Sequence, residues 1–373
     1  MPLLIITGLL FIFYTIIIIY CWQSWKAIPV FQATPHSTIA ISVIIPARNE
    51  ENNIGALLNA LQLQQYPQAL LQIIVVDDNS DDDTATIVQS FPNITLIQLK
   101  EDGINSYKKK AIEKGIAAAT GQLIICTDAD CLPAPDWLQN MVAFKEEKNA
   151  VFIAAPVNIS PYPCPKAEGR KRALYIFQAL DFMILQGITG AGVHSKKLTM
   201  CNGANLAYEK QAFENVNGFE GIDNIASGDD MLLMYKIWKQ YPAGVHYLKS
   251  KQAIVSTQPA PSWKAFLHQR IRWASKANKY EDKRIFWVLL LVYLFNFSFI
   301  LLFITGYWWQ ALLLILAKAF IELPFVIAVA QFFNQQKLLK YFLIFQPLHI
   351  LYTIISGLFG QFGKYEWKGR RVR

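Results

Sequence analysis

The feature that most constrains the fold of this chain is an apolar run that ends in two carboxylates one residue apart. Residues 123–133 read Leu-Ile-Ile-Cys-Thr-Asp-Ala-Asp-Cys-Leu-Pro, and Gly121 precedes them. An apolar run of this length between a glycine and a proline is typical of a buried strand in a parallel sheet. Asp128 and Asp130 then follow the carboxyl end of the strand, where open α/β sheets bind their ligands. Such a pair alone is more often a solvated turn, but it can also share one hard cation that holds a diphosphate.

Three earlier stretches have the same organisation, a strand followed by a helix. Strands are predicted over residues 41–45, 71–76 and 94–98, and a helical stretch follows each of them. Strands that alternate with helices indicate an α/β fold with a mostly parallel, Rossmann-like sheet flanked by helices. Several of these strands end in polar or acidic residues. Polar strand ends that line up at one edge of a sheet indicate a ligand-binding cleft rather than unrelated turns.

Side chains at these strand ends can reach a ligand. Arg48 and Glu50 lie on the loop after the first strand, and Asp78 closes the second strand. Lysines then open the next predicted helix, and one of them can contact a phosphate as a point charge. For Lys108 and Lys109 a solvated basic turn is an equally good interpretation.

A second acidic pair, Asp229 and Asp230, follows Gly228 and precedes a helix predicted over residues 231–240. Carboxylates at the start of a helix are stabilised by its dipole, which would explain the pair without any function. The functional interpretation is that Gly228 lets the backbone bring one carboxylate close to a substrate, where it acts as a general base. The residues alone leave both interpretations open.

Residues 262–279 have the period of an amphipathic helix. Its apolar stripe adjoins an arc that carries Gln269, Arg272 and Trp273, while Arg270 falls on the apolar side. An apolar stripe with a basic flank beside a membrane span is typical of a helix that lies in the membrane interface.

Apolar stretches lie at the two ends of the chain, which is 53% hydrophobic and only 17% charged. Those long enough to cross a bilayer are residues 3–20, 286–304 and 307–330. A further stretch, residues 341–359, is expected to be re-entrant or interfacial, because another crossing would place the basic carboxyl end outside. Lys318 and Glu322 lie four residues apart inside one span. They are either a functional intramembrane site or a mutually neutralised pair that faces another helix.

These stretches predict an order of domains along the chain. It comprises an N-terminal anchor at 1–26, a linker at 27–40, a cytoplasmic catalytic domain at 41–260, an interface helix at 261–284, transmembrane or re-entrant helices at 285–363 and a basic tail at 364–373. Much of the net charge of +8 gathers beside apolar segments, which favours membrane lipids with anionic headgroups as partners, and no motif indicates nucleic acid. The five cysteines have no metal-type spacing and are expected to be free thiols.

Five motifs, in order along the chain, resemble those of a known family. They are Val-Ile-Ile-Pro-Ala-Arg-Asn-Glu at 43–50, Val-Val-Asp-Asp-Asn-Ser at 75–80, Thr-Asp-Ala-Asp at 127–130, Gly-Asp-Asp at 228–230 and Gln-Arg-Ile-Arg-Trp at 269–273. Any one of these motifs alone is weak evidence for a family, but five motifs in this order are a specific signal. Over about residues 40–275 the chain resembles the membrane-integrated branch of the family 2 inverting glycosyltransferases, which have the GT-A fold.

The resemblance implies a role for each matching residue. The residues that would hold the nucleotide of a UDP-sugar are Pro46, Arg48, Glu50, Asp78 and Lys110. Asp128 would contact the ribose or the sugar side and would share with Asp130 a Mg²⁺ or Mn²⁺ ion under the diphosphate. Asp230 would be the base that deprotonates the acceptor hydroxyl, next to Asp229, where the family usually has glutamate. The residues that would cap the diphosphate and line the acceptor site are Gln269, Arg272 and Trp273.

Together these features predict a membrane-bound inverting glycosyltransferase in the cytoplasmic membrane of a bacterium. It would transfer a sugar to a lipid or membrane-associated acceptor, such as a polysaccharide, by metal-assisted single displacement. The alternatives are a processive polysaccharide synthase of the same family and a non-catalytic membrane protein that binds nucleotide-sugars. A nucleotidyltransferase or a dinucleotide-binding reductase would carry a glycine-rich loop after the first strand, where this chain has Pro-Ala-Arg-Asn-Glu.

Overall fold

The computed structural model describes residues 1–33, 39–101, 106–159, 170–225, 228–362, 365–367 and 370–372. Parts of the predicted linker and of the predicted basic tail lie outside the described residues. The chain forms two compact units. The helical unit comprises Met1–Ile28, Ile159–Leu198 and Pro259–Gly363, and the sheet unit comprises Pro29–Asn158, Thr199–Gln258 and Lys364–Arg373.

The strands are short, and most belong to the sheet unit. They are β1 Ile41–Ala47, β2 Leu71–Asp77, β3 Ile94–Gln98, β4 Leu123–Cys126, β5 Leu132–Pro133, β6 Phe152–Ala154, β7 Val157–Ile159, β8 Leu206–Glu209, β9 Val245–Tyr247, β10 Val255–Thr257, β11 Tyr365–Trp367 and β12 Arg370–Val372.

The helices of the described residues fall into a short set and a long, apolar set. They are α1 Pro2–Ala27, α2 Ile54–Gln62, α3 Thr84–Gln89, α4 Tyr107–Ala118, α5 Trp137–Lys148, α6 Arg170–His194, α7 Lys210–Asn215, α8 Met231–Gln240, α9 Trp263–Ala274, α10 Lys283–Ile304, α11 Trp308–Phe332 and α12 Gln346–Phe362.

Seven strands form the main sheet, in the order β3-β2-β1-β4-β8-β6-β9. The pairs β3–β2, β2–β1, β1–β4 and β6–β9 are parallel, and β8 runs antiparallel to both of its neighbours. The predicted α/β fold with a mostly parallel sheet is therefore confirmed. In the register of the central strands, Ala47 lies opposite Asp77 and Ile44 opposite Cys126. The carboxyl ends of β1, β2 and β4 consequently meet at one edge of the sheet.

The apolar runs form the centre of this sheet because they are buried on both faces. Ile44 and Ile45 of β1, Ile74 of β2 and Ile124 and Ile125 of β4 are fully buried. Burial of a side chain of this size contributes about 1.5–3 kcal/mol to folding. This continuous apolar pattern, without alternation, is the pattern expected of a central parallel strand.

The helical unit contains one long apolar helix that we did not predict as a span. Of the described residues, the helices long and apolar enough to cross a membrane are Pro2–Ala27, Lys171–His194, Lys283–Ile304 and Trp308–Phe332. For the second of these, α6, the sequence pattern alone predicts an amphipathic helix over residues 170–187 with a basic start. It continues to His194, and most of its apolar stretch is buried inside the protein. It packs against α1 and α11 within the helical unit.

Candidate active site

The two carboxylates that follow β4 lie at the edge where the central strands end. The Asp128 side chain is about one-third exposed, and its Oδ1 accepts a hydrogen bond of 2.7 Å from the Lys108 ammonium. Asp130 lies beside β10, and the Thr257 hydroxyl donates to its Oδ2 over 3.4 Å. β10 reaches this position because it pairs antiparallel with β5, two residues after Asp130.

The second acidic pair lies in the same cluster. Gly228 has φ of +82°, a conformation that a residue with a Cβ rarely adopts. Asp230 caps α8: its Oδ1 accepts from the Met231 N–H at 2.7 Å and its Oδ2 from the Gly203 N–H at 3.1 Å. Asp229 Oδ2 lies 3.2 Å from the same Lys108 ammonium that binds Asp128. Two carboxylates that are far apart in the chain, those of Asp128 and Asp229, thus lie against the same lysine ammonium.

Lys108 is the centre of this cluster, and the sequence alone did not distinguish it from its neighbours. Burial alone would lower the pKa of Lys108, but the charges of Asp128 and Asp229 outweigh this effect and raise the pKa well above its ordinary value. The backbone of Gly203 packs closely against these groups. A Cβ at Gly203 would lie 3.1 Å from the Lys108 ammonium and 3.2 Å from Asp229 Oδ2.

The three consecutive lysines of α4 have three different environments. α4 begins at Tyr107, so these lysines lie within the helix rather than in a turn before it. Lys109 is almost fully buried and donates to the carbonyls of Ile222 and Ile225, so a solvated turn is the wrong interpretation for it. The Lys110 ammonium lies 3.5 Å from Glu113 on the same helix, and its contact with a nucleotide stays a prediction.

We expect Lys108→Met to lower the free energy of unfolding by about 1–3 kcal/mol, because two neighbouring carboxylates lose their shared charged donor. The matched control is Lys110→Met, which removes a surface pair and should change stability by about 0.5 kcal/mol or less. Thermal unfolding in detergent measures both. Since the pKa of Lys108 is raised, its stabilisation is fully present below the ordinary value of 10.5 and lost only as pH rises through the raised value. The difference between the variants should therefore be constant from about pH 6 to 9; equal stabilities would contradict this reading.

The loop after β1 is held against the loop after β2. Nη1 of Arg48 donates to the carbonyls of Asp78 and Asn79, at 2.5 and 2.8 Å. The Glu50 N–H donates to the Thr84 hydroxyl at 2.8 Å. Pro46 lies in β1, opposite a residue of β2 in the sheet register. Four of the five residues predicted to hold the nucleotide, Pro46, Arg48, Glu50 and Asp78, therefore lie together at the sheet edge.

The remaining predicted site residues belong to the helical unit. Gln269, Arg272 and Trp273 lie on α9 and are each partly accessible. Their contact with a diphosphate or an acceptor stays a prediction. α9 begins after Ser262, whose hydroxyl accepts from the Ala265 N–H, and it ends at Ala274, before the predicted end at residue 279.

Part of this chain matches known glycosyltransferases. The family Glycosyl transferase family 2 matches residues 42–216. The probable glycosyltransferase YdaM of Bacillus subtilis is 28% identical over 261 residues, which are 68% of this chain and 59% of that protein. The 4,4'-diaponeurosporenoate glycosyltransferase of Staphylococcus aureus is 37% identical over 120 residues, 31% of each chain. The chain thus spans less than two thirds of the length of these relatives.

A solved structure has the same fold over nearly the whole chain. It is a mannosyltransferase from Pyrobaculum calidifontis in complex with GDP-Man and Mn²⁺. The TM-score is 0.58 at 19% sequence identity, and the match covers 96% of this chain and 98% of that chain. At this identity the similarity concerns the fold, which is the predicted GT-A type.

Proposed function

We propose that this chain, which carries a family 2 glycosyltransferase domain with the GT-A fold, transfers a sugar from a nucleotide-sugar to a lipid acceptor in a membrane. One observation carries the proposal: Lys108 joins Asp128 and Asp229, 20 and 121 positions further along the chain, into one cluster at the sheet edge, where the loop predicted to bind the nucleotide also lies. A solvated turn and a simple helix cap would each explain one pair of carboxylates. Neither would explain their convergence.

The donor side would use a divalent cation held by Asp128 and Asp130. No group of three or more His, Cys, Asp or Glu side chains suited to a metal occurs in the described part of the chain. Two carboxylates fit Mg²⁺ or Mn²⁺ nonetheless, because such ions are commonly held by one or two carboxylates together with substrate phosphates and water. When bound, the cation would supply positive charge to the leaving diphosphate. Lys108 adds a second positive charge within the same cluster.

The acceptor side would use Asp230 as the general base. Two backbone N–H groups hold its carboxylate, and each oxygen keeps a further lone pair for the acceptor hydroxyl. The base would take the proton as the hydroxyl oxygen forms its bond to the anomeric carbon and the bond to the diphosphate breaks. A single displacement of this kind inverts the anomeric carbon.

A lipid acceptor is favoured by the helical unit. Its candidate spans are few for a chain that would export a polymer, and α9 has the amphipathic pattern of an interface helix. The bacterial relatives are consistent with a bacterial cytoplasmic membrane. A UDP-sugar is our expected donor; GDP-sugars are the alternative to test, since the solved mannosyltransferase was bound to GDP-Man.

The proposal is tested on the full chain in nanodiscs, by nucleotide release from a panel of UDP- and GDP-sugars with a lipid extract as acceptor. We expect release to stop in EDTA and to return with Mn²⁺ or Mg²⁺. Asp130→Asn should lower it by a factor of about 100 or more, because one carboxylate ligand is lost. Glu147→Gln, an exposed change on α5, is the control and should match wild type.

The products separate the alternatives. Mass spectrometry should find lipids that carry one added sugar. A ladder of longer products would indicate a processive synthase instead. Activity that persists in EDTA would remove the metal from the mechanism. An absence of both nucleotide binding and release for every donor would indicate a non-catalytic protein.

A further inference from the structure

We propose that Arg270 and Asp181 are positioning residues that orient Gln269 and Trp273 on α9. This inference rests on the proposed function, in which Gln269 and Trp273 contact the donor or the acceptor. Arg270 itself would touch neither substrate. All of the contacts below lie within the helical unit.

Arg270 and Asp181 form a buried ion pair between α9 and α6. Nη2 and Nε of Arg270 donate to Asp181 Oδ2 at 2.6 and 3.2 Å. The two side chains are only 5% and 3% exposed. The other carboxylate oxygen, Oδ1, accepts from the Tyr352 hydroxyl of α12, and the imidazole Nε2 of His349 lies 4.0 Å from it. The carboxylate is therefore bound on both sides, as a buried charge must be to persist.

The guanidinium held in this way contacts three neighbours on its own helix. Its Nη1 donates to Gln269 Oε1 at 3.2 Å. Its central carbon lies 4.2 Å from the ring centroid of Trp273 and 4.7 Å from that of Phe266, which are cation–π distances. Gln269 and Trp273 are otherwise partly accessible, and long side chains in that position would sample several rotamers. Arg270 restricts both of them.

The chemistry of the site requires an arginine. Apolar residues at both positions would fill the same space without removing two charges from water, and such replacements of buried pairs are often neutral or stabilising. An apolar residue at position 270 would neither donate to the Gln269 amide oxygen nor attract the indole face of Trp273. A lysine would keep the charge beside Asp181, but it lacks the planar, multiple-donor group that pairs, donates and stacks at once. The pair thus does more than bury α9 against the aromatic cluster of Phe177, Phe266 and Tyr352.

The test is a double-mutant cycle between Arg270→Lys and Trp273→Leu, measured as the rate of transfer of a radiolabelled sugar by the full chain. Arg270→Lys keeps Asp181 paired with a charge, so the protein should fold. We expect it to lower kcat about tenfold on its own and only about threefold in the Trp273→Leu background, where the part of its effect that passes through Gln269 remains. Effects that multiply would overturn the inference, since a general structural defect acts regardless of residue 273.

A second measurement does not depend on activity. Amide hydrogen exchange of Trp263–Ala274 should rise in Arg270→Lys and stay near the wild-type rate in the double variant Lys318→Met/Glu322→Gln. The double variant removes both charges of another buried ion pair of the helical unit, one whose described contacts do not include α9. Unchanged exchange in Arg270→Lys would refute the inference. If Trp273→Leu transfers sugar like wild type while exchange changes as expected, the proposed role of Trp273 fails and the orientation by Arg270 stands.

Discussion

Replacing Asp230 by asparagine should lower the turnover for sugar transfer by a factor of about 10²–10⁴, the usual contribution of a general base. Asparagine has the shape of aspartate but cannot take a proton from the acceptor hydroxyl. The carboxylates proposed to bind the metal and the loop proposed to bind the nucleotide are unchanged in this variant. The affinity for the nucleotide, measured by calorimetry with Mn²⁺ and UDP or GDP, should therefore stay near the wild-type value.

The structural role of Asp230 has to be separated from the chemical one. Its carboxylate accepts from the N–H groups of Met231 and Gly203, and an asparagine amide would turn its own N–H toward one of them. This should cost about 1–3 kcal/mol of stability. Asp230→Ser is the matched control, because serine also caps helices well and removes the base. Both variants should fold and both should be inactive; retained turnover in either would move the base to Asp229.

The central strands could be predicted closely because a single effect determines them. β1, β2 and β3 begin and end within two residues of the predicted bounds. Nearly all side chains of β1 and most of those of β2 are buried, so the apolar run and the strand coincide there, whereas β3 is an edge strand without a fully buried side chain. Further along the chain, the apolar pattern predicts one strand over 151–158, but the structure has two strands, β6 and β7, with Pro156 between them. Proline cannot donate to the ladder, and the run of apolar residues hid this interruption.

The predicted end of α6 was wrong for a different reason. Gly187 was read as a helix terminus, but it lies inside the helix at a close helix–helix contact. A Cβ at Gly187 would lie 2.4 Å from Val329 Cγ2 and 2.9 Å from Phe325 Cζ. The glycine is thus explained by packing against α11, and a sequence without its partner helix cannot distinguish this from a helix end.

The carboxylates of the site were predictable and the lysine was not. Acidic residues that follow apolar strands lie at the ligand edge of any sheet of this type. Which of three consecutive lysines faces that edge depends on where α4 begins, since each residue turns the helix by about 100°. It also depends on partners 20 and 121 positions further along the chain, Asp128 and Asp229. Neither the start of the helix nor these distant partners can be identified from the sequence around the lysines.

Lys318 and Glu322 of α11 were predicted as either a functional site or a neutralised pair facing another helix. Lys318 is fully buried, and its ammonium lies 2.7 Å from Glu322 Oε1 and 2.6 Å from Gln346 Oε1 of α12. The Gln346 amide donates to Glu322 Oε2 at 2.7 Å, and the Tyr14 hydroxyl of α1 also donates to Glu322. The four side chains satisfy one another and join α1, α11 and α12, which favours the structural interpretation.

That interpretation has a large and specific consequence. Lys318→Met should destabilise the protein by about 3–5 kcal/mol, because it leaves the Glu322 carboxylate buried beside an amide and a phenol without a counter-charge. Adding Glu322→Gln should recover most of this loss, since a neutral amide can still accept from Tyr14 and exchange hydrogen bonds with Gln346. Thermal unfolding in detergent, followed by size-exclusion chromatography, measures both variants. If the double variant folds and transfers sugar like wild type, the charges serve only to hold the helices together; a folded but inactive double variant would instead make the pair part of the reaction.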